Sequence, residues 1–188
     1  MFSSSSCSLS SSSSPATQIS NKYEFTGKVA LITGSSSGIC EAIALQFAKY
    51  GANVVITGRD PKKLSKVGQK IQTLIKNNKR SKSSCSGSSV LQIVGDLQSE
   101  EANVSKQLIN ETIAQFGQLD ILVNNAGSGA VNDNYNNANL LAEFDSIFRL
   151  NVRSAIELIQ LAIPYLEQTK GNIINISSIA SVKPVRIY

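Results

Sequence analysis

Five short runs that are apolar on both faces recur along the chain, and they limit its fold more than any other feature. KVALIT (28–33), NVVIT (53–57), VLQIVGD (90–96), DILVN (120–124) and NIINISS (172–178) each read as a short, nearly continuous apolar run rather than an alternation. Between them lie stretches whose apolar residues recur at helical spacing. The first carries Ile39, Ala42, Ile43 and Phe47, and the second Leu64, Val67, Ile71, Leu74 and Ile75. A third, over 99–116, carries Val104, Leu108, Thr112, Ile113 and Phe116, and a looser helical region over 139–166 splits near Leu150. A strand wetted on one side alternates, whereas one covered on both sides reads as an unbroken apolar run. Strand, helix, strand in strict succession therefore predicts an α/β fold, a doubly wound parallel sheet of about five strands with right-handed crossovers. Gly51 is placed to end the first helix, and Asp60 before Pro61 to start the second.

The 188 residues suffice for one domain. Residues 1–22, almost pure serine, lack both a basic start and an apolar core, so they are expected to form a disordered tail rather than a secretory signal, leaving 23–188 as the folded unit. Residues 77–89, NNKRSKSSCSGSS, are expected to form a mobile loop. The net charge of +5 owes much to Lys76, Lys79, Arg80 and Lys82; no aromatic residue is interleaved there for base stacking, so a solvated loop is expected and not a nucleic-acid surface. Cys7, Cys40 and Cys85 form no CxxC pair, and the chain has no histidine, so a Ser-His-Asp triad, a His-ligated metal and a histidine base are all excluded; no metal site is expected. No apolar run approaches the length of a membrane span, and a cytoplasmic location is the expectation.

In a doubly wound sheet ligands bind beyond the carboxyl ends of the strands. Thr33-Gly34-Ser35-Ser36-Ser37-Gly38-Ile39-Cys40 connects the first strand to the first helix, where glycines admit a pyrophosphate and the helix start offers N–H groups; any strand-to-helix turn also favours Gly and Ser. Arg59 follows the second strand, where an acidic residue would take a ribose 2′-hydroxyl and an arginine can pair a 2′-phosphate, or it is a solvated charge. Asp96 follows the third strand, as an acceptor for an adenine amino group or the start of a turn. Asn124-Asn125-Ala126-Gly127 follows the fourth, where small residues let a flat ring pass or an Asx turn forms.

Taken together and in order, TGSSSGI, GRD, GDL, NNAG, Asn151 and INISS resemble the short-chain dehydrogenase/reductase family over about residues 24–183. The resemblance implies a Rossmann-like sheet of strand order 3-2-1-4-5. It implies that Gly34, Ser36, Ser37, Gly38 and Ile39 surround the cofactor phosphates and ribose, with Asp96 and Leu97 at the adenine and Asn125, Ala126 and Gly127 at the nicotinamide ribose. Ser178 matches the family's catalytic serine and Asn151 its catalytic asparagine. With Arg59, NADP is the expected cofactor rather than NAD. The implied chemistry is hydride transfer between nicotinamide and an alcohol or carbonyl compound of low molecular weight, in a protein capable of forming homo-oligomers.

Two departures from that pattern stand out. Cys40 occupies the place of the motif's third glycine, where a thiol is expected to overpack the helix-to-strand contact; of a reactive thiol and a small buried side chain, the latter is the expectation. Tyr188 follows Ser178 by only ten residues, a shorter spacing than the family's, and the lysine of a Tyr-x-x-x-Lys pair is not in the sequence. The expectation is of a chain lacking the family's C-terminal strands and impaired in turnover, with a non-catalytic nucleotide-binding or dimerisation module as the alternative.

Overall fold

A computed structural model of the chain describes residues 24–81, 88–99, 103–129, 139–179 and 182. The elements run β1 (Val29–Ile32), α1 (Gly38–Lys49), β2 (Asn53–Gly58), α2 (Pro61–Ser81), β3 (Val90–Val94), α3 (Val104–Phe116), β4 (Ile121–Asn124), α4 (Leu140–Phe148), a π-helical turn (Arg149–Arg153), α5 (Ser154–Thr169) and β5 (Asn172–Asn175). The strands form one sheet of order β3-β2-β1-β4-β5, with every neighbouring pair parallel. The alternation of runs predicts this doubly wound parallel sheet, and the family resemblance its Rossmann-like strand order.

Because successive side chains on a strand point to opposite faces, β1 feeds two cores. Val29 and Leu31 pack with Leu108, Leu122, Leu158 and Leu166 on the side of α3 and α5. Ala30 and Ile32 pack with Ala44, Leu64, Val67 and Ile71 on the side of α1 and α2. The central strands β1, β2 and β4 are buried along almost their whole length, whereas the edge strand β5 is exposed throughout, with Ile173 and Ile174 39 % and 41 % exposed. The apolar character of β5 thus does not signify burial among the described residues.

Several local expectations change in detail. In α1 the fully buried residues are Cys40, Ala44 and Ala48; Ile43 and Phe47 are only partly buried and Ile39 is 66 % exposed. Small side chains face the sheet because the helix lies close to it, so the most hydrophobic stripe is not the innermost one. Cys40 itself is buried, and burial pushes its thiol up to about 11, in keeping with a small inert side chain rather than a reactive one. Helix α1 ends in a Schellman motif: Gly51 N donates to Ala48 O and Ala52 N to Phe47 O. Asp60 starts α2 as expected, its Oδ1 accepting from Lys62 N and Lys63 N at 2.8 and 3.1 Å. Helix α2 continues to Ser81, past the start of the expected loop, while 82–87 lie outside the described residues, as do the serine-rich tail 1–22 and Tyr188. Helix α3 begins at Val104 rather than at 99. The expected break near Leu150 is a π turn joining α4 and α5 without interruption.

At the amino edge of the sheet, buried Asp120 gathers the ends of two strands. Its carboxylate accepts from Val29 N at 2.9 Å, from Lys28 Nζ at 2.8 Å and from Gln118 Nε2 at 2.7 Å.

Candidate functional site

All the sequence-selected residues lie at or beyond the carboxyl edge of the sheet. The β1–α1 loop is shaped by two buried hydroxyls. Thr33 Oγ1 accepts from Asn125 N at 2.9 Å and from Ala126 N at 3.1 Å, which draws the β4 loop against the β1 loop. Ser35 Oγ donates to Ile32 O at 2.9 Å and accepts from Thr57 N at 3.0 Å, which ties the same loop to β2. Both hydroxyls are therefore engaged in the scaffold, and they leave Gly34, Ser36, Ser37 and Gly38 to line the turn.

Two glycines in this turn differ in what they require. Gly34 has φ +65°, and a Cβ there would lie 3.1 Å from Ala126 Cα and 3.2 Å from Asn125 Nδ2. Gly38 has φ +62°, yet a Cβ there would meet nothing within 4 Å. The start of α1 is thus open, and Ser37, its N-cap, makes no side-chain capping bond. The first N–H groups of an α-helix have no partner within it, and they carry partial positive charge. Open space over such groups fits a phosphate. Ile39 projects outward from the same turn.

Around this turn stand the ends of the other strands. Gly58 closes β2 against Ser36, since a Cβ on Gly58 would come within 2.8 Å of Ser36 Cβ and Oγ. Arg59, the next residue, is exposed, whereas the neighbouring carboxylate of Asp60 is held by the start of α2. After β3, Asp96 Oδ1 accepts from Gln98 N at 2.9 Å, an Asx turn. Leu97 is 7 % exposed and packs in the α3–α5 core, so its side chain is a core anchor and only its backbone borders the edge.

Beyond β4, Asn124 Nδ2 donates to Asn175 Oδ1 at 2.9 Å across the β4–β5 ladder, while Asn124 Oδ1 is buried without a partner. Ala126 packs partly on the core, and Gly127 is exposed beside Asn151, whose Oδ1 would lie 3.2 Å from an added Cβ. Asn151 sits in the π turn and grips the next residue of this loop in both directions: Oδ1 accepts from Ser128 N at 2.9 Å and Nδ2 donates to Ser128 O at 2.8 Å. Ser178 is exposed, three residues past the end of β5. Sequence reasoning did not single out Thr33 or Ser35 as individual residues, although a β-branched hydroxyl closing β1 and a serine inside the turn are the signals that mark them.

A groove of about 840 Å³ lies away from the glycine turn, between the β3–α3 loop and the α4–α5 helices, lined among others by Gln98, Ser146, Phe148, Arg149, Ile156 and Glu157. Its volume is no guide to the dinucleotide position, because the open helix start and the strand ends lie elsewhere.

The sequence matches the family model for short chain dehydrogenases over residues 28–188. An uncharacterized oxidoreductase of Staphylococcus epidermidis is 31 % identical over 163 residues, a match covering 85 % of this chain and 61 % of that protein. A metagenomic short-chain oxidoreductase solved in complex with NADP aligns with TM-score 0.71 and 32 % identity, over 86 % of this chain and 66 % of that one. A 7α-hydroxysteroid dehydrogenase solved with NADH and 7-oxo glycochenodeoxycholic acid aligns with TM-score 0.72 and 32 % identity, over 86 % and 57 %. The chain thus spans about three fifths of the length of the staphylococcal relative. The parallel sheet, the glycine turn and these matches agree: the chain belongs to the short-chain dehydrogenase family of oxidoreductases.

Proposed function

We propose that this chain binds a nicotinamide dinucleotide across the carboxyl edge of its sheet, with NADP preferred to NAD. In this reading Gly34, Ser36, Ser37, Gly38 and Ile39 hold the pyrophosphate side and Asp96 and the Leu97 backbone the adenine. Asn125, Ala126 and Gly127 border the nicotinamide ribose. The observation that carries it is the open start of α1 with Arg59 exposed at the end of the adjacent strand. Asp60 is the one nearby acid on that strand end, and its engagement with Lys62 N and Lys63 N disfavours it as a ribose 2′-hydroxyl ligand. A guanidinium pairs a phosphate dianion by two parallel hydrogen bonds, which a hydroxyl cannot match.

The bound nicotinamide would supply or accept hydride. The Ser178 hydroxyl would donate to the oxygen of a carbonyl or alcohol substrate as its charge changes. Asn151, with both amide atoms on Ser128, would act by holding the β4 loop against the cofactor. Titration of the purified chain with NADPH and NADH tests this reading: Arg59→Ala should lower the NADPH to NADH affinity ratio, and an unchanged ratio removes Arg59 from the assignment. A carbonyl panel with Ser178→Ala then tests turnover.

A second reading, a non-catalytic nucleotide-binding module that pairs with another copy through α4 and α5, draws on a different observation. Leu141, Phe144, Phe148, Val152 and Ile156 are all exposed, and the Phe144 and Phe148 rings stack at 5.9 Å. On an α-helix each four-residue step drifts by about 40°. The π turn is wider and rotates less per residue, so it returns Phe144, Phe148, Val152 and Ile156 towards one face. Sedimentation of the full chain tests it: Phe148→Glu should convert a dimer to a monomer, and a wild-type monomer at high concentration eliminates it. NADPH binding without turnover favours this reading over the first.

A further inference from the structure

The π turn touches both halves of the candidate cofactor edge, and only one of those contacts involves Asn151. Arg149, its first residue, donates from Nε to Gln98 O at 2.7 Å. Gln98 also donates from Nε2 to the Ser146 hydroxyl in the last turn of α4. Its own N–H is the one held by Asp96 Oδ1. Residues 95–99 of the β3–α3 loop are further held by Gly95 N donating to Gly58 O at 3.2 Å, by Ser99 N donating to Asp96 O at 3.1 Å, and by Leu97 in the core. A Cβ on Gly95 would come within 2.5 Å of Val104, so the loop cannot settle further onto α3. The Arg149–Gln98–Ser146 clasp adds a tie to this part of the loop from α4 and the π turn.

We propose that Arg149 and Gln98 are positioning residues for the adenosine end of the cofactor, and that the π turn sets the separation of the β3 and β4 loops by gripping Gln98 with Arg149 and Ser128 with Asn151. The proposal rests on the dinucleotide reading above. Neither residue touches the ligand in it; both act through the carboxylate of Asp96 and the backbone of Leu97. Residues 149 and 151, two positions apart, lie on different sides of the turn, so Arg149 reaches one loop and Asn151 the other.

The test separates the hydrogen bond from the bulk of the side chain. Arg149→Gln places an amide nitrogen the same number of bonds from the backbone as Nε, whereas Arg149→Met has similar length and no donor there. In the full chain, Arg149→Met should weaken NADPH and 2′-phospho-ADP-ribose, a probe without nicotinamide, by the same factor of about tenfold, as expected for loss of one charge-assisted bond. Arg149→Gln, whose amide donates without the charge, should recover about half of that loss on a logarithmic scale. Asp145→Ala, a change in the same groove but outside the clasp, should leave both affinities unchanged. Equal loss in the Gln and Met variants, or no loss in either, overturns the proposal.

Hydrogen exchange provides the readout if wild-type protein binds no dinucleotide, a result that by itself rejects the functional reading. The amides of Gln98 and Ser99 should exchange faster in Arg149→Met than in wild type while those in the middle of α5 do not change. Uniform acceleration, or none, overturns the clasp independently of any ligand.

Discussion

Replacing Gly34 and Gly38 by alanine, one at a time, should separate stability from ligand binding within a single five-residue turn. Both glycines have positive φ, +65° and +62°, and an L-residue held there costs about 1–2 kcal/mol. For Gly38 that is the whole penalty in the ligand-free protein, because its Cβ would enter open space. At Gly34 the methyl group would lie 3.1 Å from Ala126 Cα. That backbone cannot yield cheaply, since Asn125 N and Ala126 N are both anchored on Thr33 Oγ1. Overpacking of this kind adds about 1–3 kcal/mol. Gly34→Ala is therefore expected to unfold at a lower urea midpoint than Gly38→Ala with an unchanged m-value, by about 1–3 kcal/mol at 25 °C. The order reverses for binding: the Gly38 methyl group occupies the space over the start of α1, so NADPH affinity should fall more in Gly38→Ala than its small stability loss would imply. Equal urea midpoints in the two variants would refute the close approach of the two loops. Unimpaired NADPH binding by Gly38→Ala would refute the placement of phosphate at the helix start.

Thr33→Val keeps the shape of a buried side chain and deletes the acceptor of two backbone amides; leaving such groups unpaired should cost about 2–4 kcal/mol by urea unfolding, and a loss below 0.5 kcal/mol, roughly the scatter of a neutral surface change, would contradict the bonding found at Asn125 and Ala126. For Cys40, burial raises the thiol from 9.0 to about 11, so the unfolded state gives up its proton first. Its contribution is complete below pH 9 and is lost as pH rises through about 11, with a slope of at most about 1.4 kcal/mol per pH unit. Comparing wild type with Cys40→Ala between pH 8 and 11, in a Cys7→Ser, Cys85→Ser background, measures it. A thiol reagent should label Cys40 only on unfolding, and rapid labelling of the native protein would contradict its burial.

The central strands β1, β2 and β4 were legible because a strand covered on both faces and an amphipathic helix leave different periods in the sequence, whereas β3 and β5, partly or wholly exposed, were legible from their apolar residues alone. The position of Asp60 and the Schellman end at Gly51 were legible for the same local reason: a cap is read from two or three adjacent residues. Side-chain direction was less accessible. Ile39, Ile43 and Phe47 mark α1 as helical, but the innermost positions went to Cys40, Ala44 and Ala48, since proximity to the sheet selects size over hydrophobicity. Leu97 likewise stands in the GDL motif while its side chain serves the core. At the candidate site the turn residues announced themselves by type, whereas Arg149 and Gln98 are separated by 50 intervening positions and meet only through tertiary packing. No local pattern records such a contact.

The two edges of the sheet are held by different kinds of chemistry. At the amino edge the carboxylate of Asp120 and the ammonium of Lys28 share the task, and Lys28 is half exposed to salt. At the carboxyl edge the same task falls to the neutral hydroxyls of Thr33 and Ser35, sealed from solvent. Changes in ionic strength therefore act on the Lys28–Asp120 pair, whereas the ties of the glycine turn to β2 and to the β4 loop, being neutral and buried, are insulated from them. The glycine turn thus keeps its shape at salt concentrations that loosen the opposite edge of the sheet.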